Sequence, residues 1–300
     1  MSPVINAQAV GEPTRPALAP VRSTRSATKL LLQEALGCRA TRVWLPGLYC
    51  PKVAGALKRI GLRLAYYDLN SDLVPVIPSE ASMSAVALPR MHDLVIGLYP
   101  FGLARNPPTQ FLAGRRFVLD ACHALRTVLS GAGNSSHGPV VVSLRKEFGG
   151  MGKAWLLHPG EIGQHVSAHE DWPCTSLSDA TVRGRAVTRL VADALGRYLP
   201  LVGARDVLTH LPLLATDRNG TVEALRAKGI EAWYWQRPLP GWSPDIVPNA
   251  ARLRQSLLLV PAPPCEDRTG YLLDTLRTLD LCPWRPASDA GRDRQPIFSI

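Results

Sequence analysis

Three short apolar runs constrain the fold of this 300-residue chain more than any other feature. They are DLVIGLYP (93–100), FVLDACHAL (117–125) and VVVSL (140–144), and they alternate with segments of helical periodicity. Strands of a parallel sheet are covered by helices on both faces, so their residues form nearly continuous apolar stretches. The runs therefore predict an α/β fold with a mostly parallel central sheet.

The remaining periodicities divide the chain into four parts. On the N-terminal side we predict helices over 26–36 and 53–61 and strands over 41–46 and 62–69. A stretch without clear periodicity (160–185) is followed by predicted helices over 186–199, 221–229 and 270–279 and predicted strands over 207–215 and 253–263. We expect a flexible N-terminal arm (1–20), a large domain (21–185), a linking helix with a smaller C-terminal α/β domain (186–284) and a flexible tail (285–300).

The composition excludes several classes of protein. No stretch approaches the ~20 consecutive apolar residues that a membrane span needs, and the N-terminus lacks the pattern of a secretory signal. Six scattered cysteines without a CxxC pair argue against a disulfide framework and against structural zinc, so a reducing cytoplasm is expected. His165 and His169 are four apart, but no HExxH pattern surrounds them, and we predict no metal site.

The formal net charge of +10 has two interpretations. A basic protein can bind nucleic acid, in which case its affinity depends on salt. Here the arginines are spread along the chain, no block of five basic residues occurs, and no RNP-like or zinc-finger pattern is visible. We therefore favour an anionic small-molecule substrate over a nucleic acid.

Two charged residues follow the predicted buried strands. Ligands of open α/β sheets bind at the carboxyl ends of the strands, where Asp120 and Lys146 fall. A buried Asp120 needs a partner. The partner is the protonated ring nitrogen of pyridoxal phosphate (PLP) in one interpretation. In the other, Asp120 is a helix N-cap and its partner is a backbone N–H. Lys146 is either a Schiff-base lysine in a dry site or part of a solvated Arg-Lys-Glu turn.

Hydroxyl residues in two segments could hold a phosphate. Thr24, Arg25 and Ser26 lead into a predicted helix, whose N–H groups and dipole attract anions, and Arg25 adds a fork-shaped donor. The other interpretation is ordinary helix capping. Ser143, three residues before Lys146, could also donate its hydroxyl to a phosphate.

The order and spacing of these motifs resemble the DegT/DnrJ/EryC1/StrS family of fold-type-I PLP aminotransferases. The similarity covers roughly residues 21–280. It includes the phosphate turn (Thr24-Arg25-Ser26-Ala27), the segment VWLPGLYCPKVAGALKRIGLRLAYYDL, the motif VLDACHAL around Asp120, and the pair Ser143 and Lys146. In the C-terminal half, HLPLLATDRNGTVEALRAKGIEAWYW and LRQSLLLVPAPP look like the small domain of the family.

The resemblance implies a role for each matched residue. Lys146 is then the Schiff-base lysine and Asp120 the partner of the ring nitrogen, with His123 at the ring oxygen. Ser143 and the turn at Thr24, Arg25 and Ser26 hold the phosphate. The chain departs from the family at Thr24, which replaces a glycine, and at Cys50, which replaces the aromatic residue that stacks on the ring. The neighbouring Tyr49 could take the place of that aromatic residue. Lys153-Ala154-Trp155 also replaces the usual Gly-Gly.

The implied function is amino transfer by a cytoplasmic homodimer. The acceptor is expected to be a keto sugar nucleotide or a natural-product intermediate, and the amino donor a small molecule such as an amino acid. Two alternatives stay open at this point. One is a different PLP reaction on the same scaffold, such as elimination or dehydration. The other is a non-catalytic relative that binds a partner, which the altered motifs motivate.

Overall fold

Two β-sheets organise the part of the chain that the structure describes. This structure, a computed structural model, describes residues 21–22, 24–76, 89–108, 112, 115–132, 138–143, 153–158 and 174–284. The larger sheet contains seven strands, which are β1 (Val21–Arg22), β2 (Arg42–Pro46), β3 (Arg63–Tyr67), β4 (Leu94–Leu98), β5 (Arg116–Asp120), β6 (Val140–Ser143) and β7 (Lys153–Leu157). Their order across the sheet is β1-β7-β6-β5-β4-β2-β3.

Five of these strands form one continuous set of parallel pairs. The neighbours β3, β2, β4, β5 and β6 pair in parallel, whereas β7 pairs antiparallel with β6 and with β1. The three apolar runs of the sequence form β4, β5 and β6 at the centre of the sheet. The predicted α/β fold with a mostly parallel central sheet is therefore confirmed.

Helices cover both faces of this sheet. The described α-helices of nine or more residues are α1 (Thr24–Gly37), α2 (Pro51–Arg59), α3 (Cys174–Leu195), α4 (Arg218–Ala227), α5 (Pro248–Ser256) and α6 (Asp267–Arg277). Ile96 and Val118 point to the face that packs against α1 and α2, whereas Val95 and Leu119 point to the face that packs against α3. Because both faces are buried, the strands need apolar residues at every position.

The second sheet belongs to the C-terminal part of the chain. It contains β8 (His210–Ala215), β9 (Leu257–Pro261) and β10 (Leu281–Cys282) in the order β10-β8-β9, with antiparallel pairing throughout. Leu211 and Leu213 of β8 lie in the same hydrophobic core as Leu119 of β5. One continuous core therefore joins the two sheets.

The structure corrects two elements predicted from the sequence. The helix expected over 186–199 begins at Cys174, within the stretch that shows no periodicity. The strand expected over 253–263 begins only at Leu257, because the preceding residues are the last turn of α5. The domain boundary placed between 185 and 186 falls inside α3 and stays a prediction.

Candidate active site

Two buried polar side chains end the central strands. Asp120 is the last residue of β5 and Ser143 the last residue of β6, and they are 6% and 5% exposed. Asp120 pairs with Val141 in the parallel register of β5 and β6, so both strands end at the same edge of the sheet. This edge is where an open α/β sheet binds its ligands.

The carboxylate of Asp120 is held by two donors. The Tyr49 hydroxyl donates to Oδ2 at 2.7 Å, and the backbone N–H of Cys122 donates to Oδ1 at 3.1 Å. Within the described ranges, no lysine, arginine or histidine forms an ion pair with this carboxylate. Asp120 is thus a buried acidic group whose known partners are neutral, an arrangement that favours the approach of a cationic ligand group.

Tyr49 lies between β2 and α2, directly before the N-cap residue Cys50. Its side chain is 1% exposed. Burial raises the pKa of Tyr49 well above its ordinary value, and the negative charge of Asp120 and the hydrogen bond to it raise this pKa further. Tyr49 therefore stays a neutral phenol whose O–H donates a hydrogen bond to Asp120.

Arg254 of α5 fixes the backbone of Tyr49 from the C-terminal part of the chain. Its Nη1 donates to the Tyr49 carbonyl at 3.2 Å and its Nη2 to the Arg237 carbonyl at 2.8 Å. The guanidinium lies 5.5 Å from the ring centroid of Trp235 and 5.9 Å from that of Trp242. Burial lowers the pKa of Arg254 to about 10, so the side chain is still charged at neutral pH.

Further contacts dock α5 on the same edge of the large sheet. The two carboxylate oxygens of Asp68, just after β3, accept the backbone N–H groups of Asn249 and Ala250 at 3.0 and 2.9 Å. This contact caps the first turn of α5, where backbone donors have no partner within the helix. A Cβ atom on Gly47 would lie 2.6 Å from the Ala250 Cβ, so only glycine permits this close approach.

The start of α1 lies at the same edge as Asp120 and Ser143. In the register of the sheet, Ala154 of β7 pairs with Ser143 on one side and with Val21 of β1 on the other. Because β1 and β6 are both antiparallel to β7, they run in the same direction, and α1 begins two residues after β1 ends. The backbone therefore brings the N-terminus of α1 to the candidate site, although the side chains of Thr24, Arg25 and Ser26 lie outside the described part.

His123 begins a row of aromatic rings that leads into the C-terminal sheet. The ring centroids of His123 and His210 are 5.5 Å apart, as are those of His210 and Trp233, and both pairs meet edge to face. Trp235 extends the row at 6.2 Å from Trp233. The Thr209 hydroxyl donates to the His123 carbonyl at 2.8 Å and connects β8 to the turn after β5.

The structure brings some predicted site residues together and leaves others untested. Asp120, Tyr49, Ser143 and His123 lie at or next to one sheet edge. Lys146 lies outside the described residues, as do His165 and His169. The sequence does not reveal the role of Arg254, because the pattern over 253–263 predicts a strand. No motif indicates the contact of Arg254 with Tyr49.

The described residues contain no group of three or more histidine, cysteine, aspartate or glutamate side chains that could hold a metal ion. None of the helices in these ranges is long and apolar enough to cross a membrane.

Comparisons with known proteins find similar structures but no similar sequences. Neither a protein-family model nor a curated protein matches the chain. Among solved structures, a DegT DnrJ EryC1 StrS aminotransferase from Brucella abortus is 15% identical, with a TM-score of 0.64, over 84% of this chain and 84% of that one. The sugar aminotransferase CalS13 from Micromonospora echinospora is 13% identical, with a TM-score of 0.58, over 84% of each chain.

A third similar structure is Spr1654 from Streptococcus pneumoniae in its PLP form. It is 14% identical, with a TM-score of 0.60, over 84% of this chain and 85% of that one. At these identities the similarity establishes a shared fold, and function has to be argued from the site. The chain has the fold of these aminotransferases, and the expectation of this fold class is confirmed.

Proposed function

We propose that this chain is a PLP-dependent aminotransferase that acts on a keto sugar nucleotide or a natural-product intermediate. The observation that carries the proposal is the buried carboxylate of Asp120, which ends a central parallel strand and has neutral donors as its partners in the described residues. The sequence resemblance and the shared fold both support it.

The residues at this edge fit the cofactor. A protonated pyridine nitrogen supplies a positive charge and an N–H donor, which match a buried carboxylate. A carboxylate offers about four acceptor positions, and Tyr49 and Cys122 use two of them. The sheet edge also brings the N-terminus of α1 near the end of β6, which suits a phosphate group.

Each residue receives a role in this proposal. Asp120 would accept the ring N–H, and His123 would contact the ring oxygen. The phosphate is held by Ser143 together with the first turn of α1, which contains Thr24, Arg25 and Ser26. When bound, PLP supplies an electron sink for the charge that develops at the substrate Cα. Lys146 would serve as the Schiff-base lysine and, when free, would move the proton at Cα as a general acid and base.

Net charge and the resemblance to the aminotransferase family support the proposed partners. The net charge of +10 suits an anionic acceptor, and the similar protein CalS13 is a sugar aminotransferase. We infer an amino acid as the amino donor, a homodimer as the assembly and the cytoplasm as the compartment. A role in biosynthesis follows from this choice of substrate.

The visible absorption spectrum tests the proposal. We expect purified protein with added PLP to show an absorption band that survives desalting. Lys146→Ala is expected to abolish the band, whereas Lys58→Ala, on an exposed position of α2, is the matched control and should retain it. Conversion of the band by an amino donor, with release of a keto acid but no ammonia, would then separate amino transfer from elimination, which releases both. A wild-type protein that shows no band in excess PLP would refute the enzymatic function and favour the non-catalytic alternative.

A further inference from the structure

The contact between Tyr49 and Asp120 has the geometry of a strong hydrogen bond. The oxygen–oxygen distance of 2.7 Å is typical of an O–H donor, and an ionised acceptor makes the bond about twice as strong as a neutral one. Cys122 N–H holds the second oxygen at 3.1 Å. A rotation of the carboxylate would break both bonds, so the plane of Asp120 is fixed before any ligand arrives.

Tyr49 orients the carboxylate without neutralising it. The groups that interact electrostatically with its phenol are Asp120 and the thiols of Cys50 and Cys122, and the raised pKa keeps the phenol protonated. A lysine or arginine in this place would cancel the charge of Asp120 and compete with a cationic ligand. A neutral donor leaves the negative charge available to a pyridinium N–H.

The donor itself is held in place from two sides. The ring of Tyr49 is 1% exposed and packs in the core between the sheet and α2. Its carbonyl accepts a hydrogen bond from Arg254, which α5 carries in from the C-terminal part of the chain. The hydroxyl position therefore depends on packing in the large sheet and on the docking of α5.

We infer that Tyr49 is a positioning residue that holds Asp120 as an oriented anion for the ring nitrogen of PLP. The inference rests on the proposed function and adds to it a role for Tyr49 other than stacking on the ring. Tyr49 acts through Asp120, so its removal should affect only those ligands that present a ring N–H to the carboxylate. An analogue of PLP with carbon in place of the ring nitrogen, 1-deazapyridoxal phosphate, cannot make this contact.

The experiment compares the dissociation constants of PLP and 1-deazapyridoxal phosphate, measured by absorbance or fluorescence titration of the full-length protein. Wild type should bind PLP more tightly than the deaza analogue. In Tyr49→Phe we expect this preference to fall about tenfold, as the loss of one hydrogen bond to a charged group predicts. Tyr66→Phe is the matched control, because its buried hydroxyl donates to the Pro240 carbonyl at 2.8 Å and not to Asp120. It should retain the wild-type preference.

A second variant keeps the test valid if Tyr49→Phe does not fold. Incorporation of 3-fluorotyrosine at position 49 keeps the ring and changes the donor strength of the hydroxyl, so the preference for PLP should change. An unchanged preference in the variant that folds would overturn the inference, as would tighter PLP binding by Tyr49→Phe, which would mean that Tyr49 competes with the ring. If wild type binds no PLP, the proposed function fails together with the inference, whereas PLP binding with an unchanged preference refutes the inference alone.

Discussion

Substitution of Arg254 by methionine tests how much the docking of α5 contributes to the stability of the protein. Methionine keeps an unbranched apolar side chain that can pack against the rings of Trp235 and Trp242, so the change removes hydrogen bonds and charge but creates little cavity. The bonds that disappear are those to the carbonyls of Tyr49 and Arg237.

The expected loss follows from the environment of each carbonyl. Tyr49 is buried, so its carbonyl stays unpaired at a cost of about 1–3 kcal/mol, whereas Arg237 is exposed and water can replace the donor. Two cation–π contacts contribute roughly 0.5–1 kcal/mol each. Burial of the charge disfavours folding, as the lowered pKa of Arg254 indicates, and methionine recovers part of this cost. We expect a net destabilisation of about 2 kcal/mol, or a decrease in Tm of roughly 5 °C.

Chemical denaturation in urea and a thermal scan by circular dichroism measure this loss. The matched control is Arg252→Met, two residues away on an exposed position of α5, which should change the stability by less than about 0.5 kcal/mol. If Arg254→Met and Arg252→Met are equally stable, the contact between Arg254 and Tyr49 does not stabilise the protein, and our account of how α5 docks is wrong.

Two further predictions concern the same edge of the sheet. Gly47→Ala should destabilise the protein by about 1–3 kcal/mol in urea denaturation, because its Cβ would overlap Ala250 on α5. Gly55→Ala, inside α2 with only the flexible Arg59 nearby, should instead stabilise by about 0.5–1 kcal/mol, and the same sign for both would contradict this packing. Burial raises the pKa of Tyr66 to about 12, so the folded state binds this proton more tightly than the unfolded state. The free energy of unfolding should therefore fall as the pH rises from about 10 to 12, and fall less in Tyr66→Phe than in wild type or in the exposed control Tyr271→Phe.

The central strands could be predicted from the sequence because of how they are buried. Strands β4, β5 and β6 have helices on both faces, so the requirement for apolar residues applies at every position and appears as an uninterrupted run. An acidic residue that ends such a run, as Asp120 does, is conspicuous for the same reason. The motif that contains it also carries the resemblance to the aminotransferase family, so the fold and one candidate site residue follow from local sequence.

Helices α3 and α5 show where local sequence was insufficient. The first turns of α3, from Cys174, have no clear apolar periodicity, and the apolar residues 257–261 obscured the end of α5 at Ser256. The start of α5 depends on Asp68, which caps it from 181 residues away in the chain. No local propensity encodes such a partner, since it exists only after the two parts of the chain have docked.

The sequence by itself determined the parallel sheet, the position of Asp120 at a strand end and the order of the candidate cofactor residues. Only the tertiary structure decided what surrounds that carboxylate. Tyr49 is 71 residues from Asp120 in the chain, and Arg254 is 205 residues from Tyr49, yet each pair shares a buried hydrogen bond. Burial periodicity is a local property that a sequence displays directly, whereas the partner of a buried polar group depends on distant segments that meet only in the folded chain.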